Sequence, residues 1–98
     1  MDATHDAETS RFVIAADGRE AELVYKRVDD HLLDLMHTGV PPELARRGFG
    51  DALARAAFDY ARANDTRVIL TCPFLRHWIL SHPDERDLVV KLPDDAHR

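Results

Sequence analysis

Apolar and polar residues alternate along the segment "RFVIAADGREAELVYKRVDD", which is typical of β-strands with one buried face. In its second half, Ala21, Leu23 and Tyr25 alternate with charged residues, which predicts a half-solvated strand. The dipeptide Asp17-Gly18 divides the segment, and this pair suits the positive backbone dihedral angles of a tight hairpin turn. The segment therefore predicts two antiparallel strands.

The next apolar run, "HLLDLMHTGV" at residues 31–40, predicts a third strand. A period of two residues places Leu33, Leu35 and His37 on one face of this strand. The two prolines that follow end it, because proline has no N–H group to donate to a sheet. The first part of the chain is thus expected to be an antiparallel three-stranded meander.

From Phe49 the apolar residues recur at intervals of three and four, with Asp and Arg on the other face, which predicts an amphipathic helix over residues 49–64. The β-branched run "RVILTC" at residues 67–72 predicts a buried strand. Pro73 suits the first turn of a second helix, "PFLRHWILSH", and the following "DERDLVVKL" fits either a short helix or a strand. The order strand, helix, strand predicts a βαβ unit with parallel strands.

One domain is expected for a chain of 98 residues. Residues 1–10 carry no periodicity and few large apolar side chains, so we expect a disordered N-terminal tail. Residues 11–92 contain all the predicted elements and form the domain, and residues 93–98 are expected to be a C-terminal tail.

The composition narrows the classes of function. The net charge of -5 disfavours a nucleic-acid-binding protein, because such proteins need a basic face. No apolar run approaches the roughly 20 residues of a membrane span, and the acidic N-terminus does not resemble a signal peptide. We therefore expect a cytoplasmic protein, a monomer or weak dimer, without nucleic-acid or membrane partners. The single cysteine, Cys72, excludes an internal disulfide and a multi-cysteine zinc site.

The βαβ unit brings polar residues to one edge of the predicted sheet. His37, Thr38 and Cys72 lie at or near the carboxyl ends of the two parallel strands, where open α/β sheets bind ligands. The loop of residues 41–50 is expected to lie over the same edge.

The stretch "RRGFG" at residues 46–50 leads into the predicted central helix. Gly48 and Gly50 permit close backbone approach, and the first N–H groups and the dipole of the helix favour an anion. Arg46 and Arg47 add positive charge. The stretch fits a phosphate site, although two glycines at this spacing also fit an ordinary turn. It lacks the third glycine of a dinucleotide fingerprint and the Gly-Lys-Ser/Thr of a P-loop.

Cys72 and His37 are candidate reactive residues. Cys72 precedes Pro73 at the start of the second helix, where it fits either a thiolate that attacks an acyl carbon or a small buried hydrophobic residue. His37 fits either a base near neutral pH or a hydrogen-bonded core histidine. Parallel neighbouring strands would bring the two residues to one cleft. His77 and His82 are five residues apart and lack an evident third ligand, so no metal site is expected.

The motifs "HTGVPPEL", "RRGFG" and "CPF" followed by "HP" occur together, and with them residues 12–89 resemble the small, single-domain subfamily of GCN5-related N-acetyltransferases, or GNATs. The resemblance implies a minimal α/β (α+β) fold with an antiparallel three-stranded meander, a central helix, a parallel splayed strand and a second helix. It also implies acetyl-CoA as co-substrate, with its pantetheine arm between the splayed strands.

By this resemblance, Thr38 and Val40 line the pantetheine, and backbone N–H groups from Arg46 through Gly50 hold the pyrophosphate. The expected cofactor-binding residues are Thr38, Val40, Arg46, Arg47, Gly48, Phe49, Gly50 and Phe74. In the subfamily, a cysteine and a histidine at the positions of Cys72 and His37 are the suspected reactive pair. The chain departs from the general GNAT pattern at Ala45, where Gln or Arg is usual, and it offers His77 and Trp78 where many members have a tyrosine proton donor.

The function that follows is acetyl-CoA-dependent N-acetyl transfer to an amine acceptor, either a small molecule or a protein lysine. The acetyl group passes either directly, with His37 or His77 accepting the amine proton, or through Cys72. The alternative function is a CoA-binding regulatory or interaction module with little catalysis, and a weaker one is a redox-sensing thiol at Cys72.

Overall fold

The computed structural model describes residues 2–90, and its elements follow the predicted order with one added strand. The strands are β1 (Thr4–Asp6), β2 (Arg11–Ala16), β3 (Arg19–Asp29), β4 (Leu32–Gly39) and β5 (Arg67–Leu70). The helices are α1 (Phe49–Ala63) and α2 (Pro73–Trp78), with short 3-10 helices at Pro42–Leu44, Ile79–Ser81 and Pro83–Leu88.

The five strands form one sheet in the order β1-β2-β3-β4-β5. All neighbouring pairs are antiparallel except β4 and β5, which are parallel because α1 connects them as a crossover. The predicted α/β architecture of meander, central helix, parallel strand and second helix is therefore confirmed. Within residues 2–90, no helix is both long and apolar enough to cross a membrane.

The core lies between one face of the sheet and the two helices. Alternate strand residues such as Leu23 and Leu33 are fully buried against the apolar side of α1, which includes Leu53 and Phe58. The ring of Phe58 lies 5.1 Å from that of Trp78 in α2. The helices therefore cover the same face of the sheet, and residues of the other face remain partly or fully exposed.

The prediction of a disordered tail over residues 1–10 is wrong for Thr4–Asp6, which form β1 and pair with β2. The His5 ring stacks on Phe12 at 4.4 Å, and its Nε2 atom lies 2.7 Å from the Tyr25 hydroxyl. These partners are distant in sequence, so the local pattern contains no sign of them. The predicted C-terminal tail, residues 93–98, lies outside the described residues.

A β-bulge interrupts the predicted alternation in β4. Leu35 pairs with Tyr25, but the next pair toward the end of β4 is His37 with Val24, so Met36 is an extra residue. A bulge of this kind shifts every later side chain to the opposite face of the sheet.

The expectation that His37 shares a face with Leu33 and Leu35 is therefore wrong. His37 lies on the open face and is exposed, whereas Thr38, opposite the buried Leu23, takes the place on the helix-covered face. The physical reason is the extra residue, which strict alternation along the sequence does not allow for.

The predicted element ends shift by a few residues. Helix α1 ends at Ala63, and β5 ends at Leu70 rather than at residue 72. The second helix is α-helical only to Trp78, followed by a 3-10 turn. The ambiguous segment "DERDLVVKL" forms part of a 3-10 helix and then a parallel bridge between Val89 and Val68, while its last two residues lie outside the described part.

Candidate functional site

Strands β4 and β5 separate at the carboxyl end of the parallel pair. Leu35 and Leu70 form the last parallel pair, and the N–H groups of Thr71 and Cys72 both donate to the Leu35 carbonyl, at 3.1 and 2.9 Å. Beyond this point β4 continues to Gly39 and pairs only with β3 among the described strands. The segment that follows β5 instead turns into α2. We call this opening, from Leu35 and Leu70 outward, the splay.

A side-chain contact crosses the splay where the backbone ladder has ended. Thr38 Oγ1 on β4 lies 3.4 Å from Cys72 Sγ, a distance at which either atom serves as the hydrogen-bond donor. Cys72 is only 2% exposed, and Thr38 is half-buried. Val40, two residues further along, is half-buried against the core.

His37 does not share this position with Cys72. The register places His37 on the open face of the sheet, where its Nε2 atom lies 3.2 Å from the point that a Cβ on Gly39 would occupy. The Cys72 sulfur lies on the helix-covered side with Thr38. The expected cleft containing both reactive residues is therefore not formed, because the bulge at Met36 separates them.

The loop before α1 exposes a run of backbone donors. Arg46 and Gly48 adopt positive φ angles of 64° and 84°, which alternate the direction of successive peptide groups. Gly48 is the N-cap of α1 and supplies no side-chain cap. The N–H groups of residues 46–51 have no acceptor among residues 2–90. A run of free N–H groups at a helix N-terminus is suited to bind an anion.

The two loop arginines differ in their surroundings. Arg46 is exposed and forms no ion pair within residues 2–90. Arg47 donates to Asp17 Oδ2 at 2.7 Å, and its guanidinium lies 5.3 Å from the centre of the Phe49 ring. The sequence indicates Asp17 as a turn residue, but no local pattern signals its ion pair with Arg47.

Gly50 and Phe74 make a close contact at the start of α1. A Cβ on Gly50 would lie 2.9 Å from Phe74 Cζ, so the ring occupies the space that any larger residue needs. Phe74 is nevertheless 40% exposed, which leaves part of its ring available beside the loop. The structure thus brings Phe74 together with the predicted phosphate loop.

Asp51 fixes α2 to the first turn of α1, a role that the sequence did not reveal. Its Oδ1 atom accepts a hydrogen bond from Trp78 Nε1 at 2.9 Å and lies 3.8 Å from His82 Nε2. The His82 ring stacks on Trp78 at 3.7 Å. His77, a candidate base, is exposed on α2.

Three comparisons relate this architecture to known proteins. The model of the GCN5-related N-acetyl-transferase family matches residues 11–88. Protein NATD1 of Gallus gallus is 32% identical over 81 residues, covering 81% of this chain and 74% of that protein, and Homo sapiens NATD1 is equally identical, with 72% of its length covered. The solution structure of a GCN5-like candidate N-acetyltransferase from Staphylococcus aureus is similar with a TM-score of 0.72 and 29% identity, covering 93% of this chain and 89% of that one.

The fold and these matches define an acyltransferase. The chain belongs to the GCN5-related N-acetyltransferase family, and its activity is acetyl transfer. The resemblance carried by the sequence motifs is therefore confirmed.

Proposed function

We propose that the protein transfers the acetyl group of acetyl-CoA to a primary amine. The observation that carries this proposal is the free-donor loop, residues 46–51, placed at the same edge of the sheet as the splay between β4 and β5. The loop suits a pyrophosphate, and the splay suits a narrow, extended arm that ends in a thioester. A ligand with both parts fits this combination.

The parts of CoA match distinct groups of the chain. The N–H groups from Arg46 through Gly50 would bind the pyrophosphate, with the Arg46 side chain free to add charge. Beyond Leu35, the edge of β4 that faces the splay has no strand partner among residues 2–90, so it offers backbone groups to the amides of the pantetheine arm beside Thr38 and Val40. Phe74 would cover the arm near the loop. Ala45 at the usual Gln or Arg position removes one side chain and no backbone donor.

The position of Cys72 favours a covalent route for the transfer, because its sulfur lies at the splay beside Thr38, whereas His37 lies on the open face of the sheet and His77 is exposed on α2. In the first step, Cys72 Sγ bonds to the acetyl carbon, the bond from that carbon to the CoA sulfur breaks, and CoA leaves with the thiol proton. In the second step, the nitrogen of a neutral amine attacks the acetyl carbon, and Cys72 leaves and regains a proton from the amine. The products are CoA and the N-acetylated amine.

The experiment that tests the proposal is isothermal titration with CoA. We expect saturable binding to the unaltered protein and at least tenfold weaker binding to Gly48→Glu, because a carboxylate would stand among the loop donors. Gly48→Ala is the matched control, since it brings the same strain at φ 84° without the charge. Absence of binding to the unaltered protein, or equal loss in both variants, would contradict the phosphate site.

A further inference from the structure

We propose that Thr38 is the positioning residue for Cys72, its hydroxyl donating a hydrogen bond to the sulfur when the sulfur carries negative charge. This inference rests on the proposed acetyl transfer through Cys72 and names the residue that prepares that thiol. Thr38 thus occupies the place beside Cys72 in which the sequence had led us to expect His37, and it acts there as a hydrogen-bond donor rather than as a base.

The geometry at the splay supports this pairing. The Thr38 hydroxyl lies 3.4 Å from the Cys72 sulfur, beyond the last backbone hydrogen bonds between β4 and β5. The bulge at Met36 is what turns Thr38 toward the helix-covered side and His37 away from it. Thr38 therefore reaches the sulfur because of the local break in strand register.

No charged side chain of the described residues bonds to the sulfur. The titratable and charged groups of the surrounding elements are exposed or engaged elsewhere: Asp34 with Thr71, Asp51 with Trp78, and His37, Arg67, Arg76 and His77 at the surface. The Cys72 side chain forms no capping hydrogen bond with the N-terminus of the short helix α2. The Thr38 hydroxyl is thus the polar side-chain partner of this thiol within residues 2–90.

A hydroxyl suits both states of the sulfur. It accepts a hydrogen bond from the thiol, and after a rotation it donates one to the thiolate. A hydrogen bond to a charged group is stronger than one to a neutral group, and a buried thiolate without a donor is unfavourable. The Thr38 hydroxyl is therefore placed to donate to the sulfur when it carries the negative charge with which it attacks the acetyl carbon.

The test is a pH titration of the thiolate by its ultraviolet absorbance. The chain has one cysteine, so subtraction of the Cys72→Ser titration isolates the signal of Cys72. Thr38→Val keeps the shape of the side chain and removes the hydroxyl. We expect the titration midpoint of this variant to rise by about one pH unit. At any pH below the midpoint, the variant would then hold about tenfold less thiolate than the unaltered protein. Thr38→Ser restores the hydroxyl and is expected to keep the original midpoint.

His37→Ala separates this proposal from the alternative pair, and we expect it to leave the midpoint unchanged. A shift in His37→Ala without a shift in Thr38→Val would overturn the proposal, as would equal shifts in Thr38→Val and Thr38→Ser. A purely structural role of Thr38 predicts a change in stability but none in the midpoint.

A second readout connects the pair to the reaction. Acetyl-CoA at saturation is mixed with protein, and intact mass spectrometry follows the acetyl group on Cys72, with Cys72→Ser as the blank. We expect Thr38→Val to form the acetylated protein about tenfold more slowly at a pH below the midpoint. If the unaltered protein takes no acetyl group, the covalent route fails, while the absorbance titration still decides the role of Thr38.

Discussion

Glu85 places a negative charge in the protein interior and holds it there through two arginines of α1. Its carboxylate lies 2.6 Å from Arg55 and 2.9 Å from Arg62, and its side chain is only 8% exposed. The hydrogen bond from Arg62 holds the pKa of Glu85 below its ordinary value, burial opposes this shift, and Arg55 reinforces it. These contacts fasten the 3-10 helix Pro83–Leu88 to the central helix.

Replacing Glu85 tests this anchor at the residue scale. We expect Glu85→Gln to lower the free energy of unfolding by about 1 kcal/mol near neutral pH, because the carboxylate loses its ion pairs with two arginines that are themselves nearly half-exposed. The pKa of Glu85 is lower in the folded state, so the unfolded state binds the proton first as the pH falls. The contribution is therefore present above the ordinary value of 4.5 and is lost as the pH falls through the folded pKa.

Urea denaturation across this pH range measures the effect. The matched control is Asp84→Asn, which neutralises an exposed carboxylate of the same 3-10 helix. A difference between Glu85→Gln and the unaltered protein that stays constant down to about pH 2 would show that charge is not the cause.

At the element scale, the β2–β3 hairpin is joined to the loop before α1 by two ion pairs. Asp17 pairs with Arg47 at 2.7 Å, and Arg19 pairs with Glu43 at 3.1 Å. All four side chains are about half-exposed or more, so each pair contributes little to stability. Their consequence is for binding, because Asp17 competes with a phosphate for Arg47.

We expect Asp17→Asn to tighten CoA binding by about twofold to fivefold, the range given by a surface ion pair. Asparagine also suits the tight turn, where Asp17 has a φ of 53°. Isothermal titration at low and high salt measures the effect, which should vanish at high salt because the charges are exposed. Glu43→Gln is the control, since it also removes a carboxylate facing the hairpin but leaves Arg47 paired. An equal gain in CoA affinity in both variants would refute a specific competition between Asp17 and the phosphate for Arg47.

Besides its pairing with β2, strand β1 is held by an aromatic cluster around His5. The ring packs against Phe12 and Tyr60, each at 4.4 Å, and bonds to the Tyr25 hydroxyl. Burial is the main cause that lowers the pKa of His5 below 6.5, the charge of Arg27 adds to this shift, and Asp6 opposes it. The folded cluster therefore favours the neutral ring.

The docking of β1 should weaken as the pH falls below 6.5, because unfolded His5 binds a proton more readily than the docked ring. We expect the β1–β2 amides to exchange hydrogen faster at about pH 5.5 than at about pH 7.5, after correction for intrinsic rates. His5→Phe keeps an aromatic ring and should remove this dependence, with the β4 amides as internal control. Persistence of the dependence in His5→Phe would exclude His5 as its origin.

At the scale of the whole molecule, topology places the two parts of the candidate site together. The crossover through α1 makes β4 and β5 parallel, so their carboxyl ends and the loop leading into α1 meet at one edge of the sheet. Both helices cover one face, and the other face leaves Val28 and Met36 exposed at 49% and 39%. Loop and splay are thus a consequence of strand order rather than of any one motif.

The sequence by itself determined the features that depend on neighbouring residues. The alternation in β2 and β3, the Asp17-Gly18 turn and the helical spacing after Phe49 each reflect local backbone preferences, and all appear in the structure. The motifs also determined the family. The loop with free N–H groups before α1 was predictable for the same reason, since glycine and the start of a helix are visible in sequence.

Only the tertiary structure decided which side chains meet. The sequence near Met36 does not signal the bulge, because the bulge is set by the pairing of β4 with β3. As a result of the bulge, Thr38 rather than His37 lies beside Cys72. The docking of His5 and the burial of Glu85 depend equally on partners at least 7 and 23 residues away. Local patterns specify elements, whereas the chemistry of this site arises from contacts between elements that only the folded chain brings together.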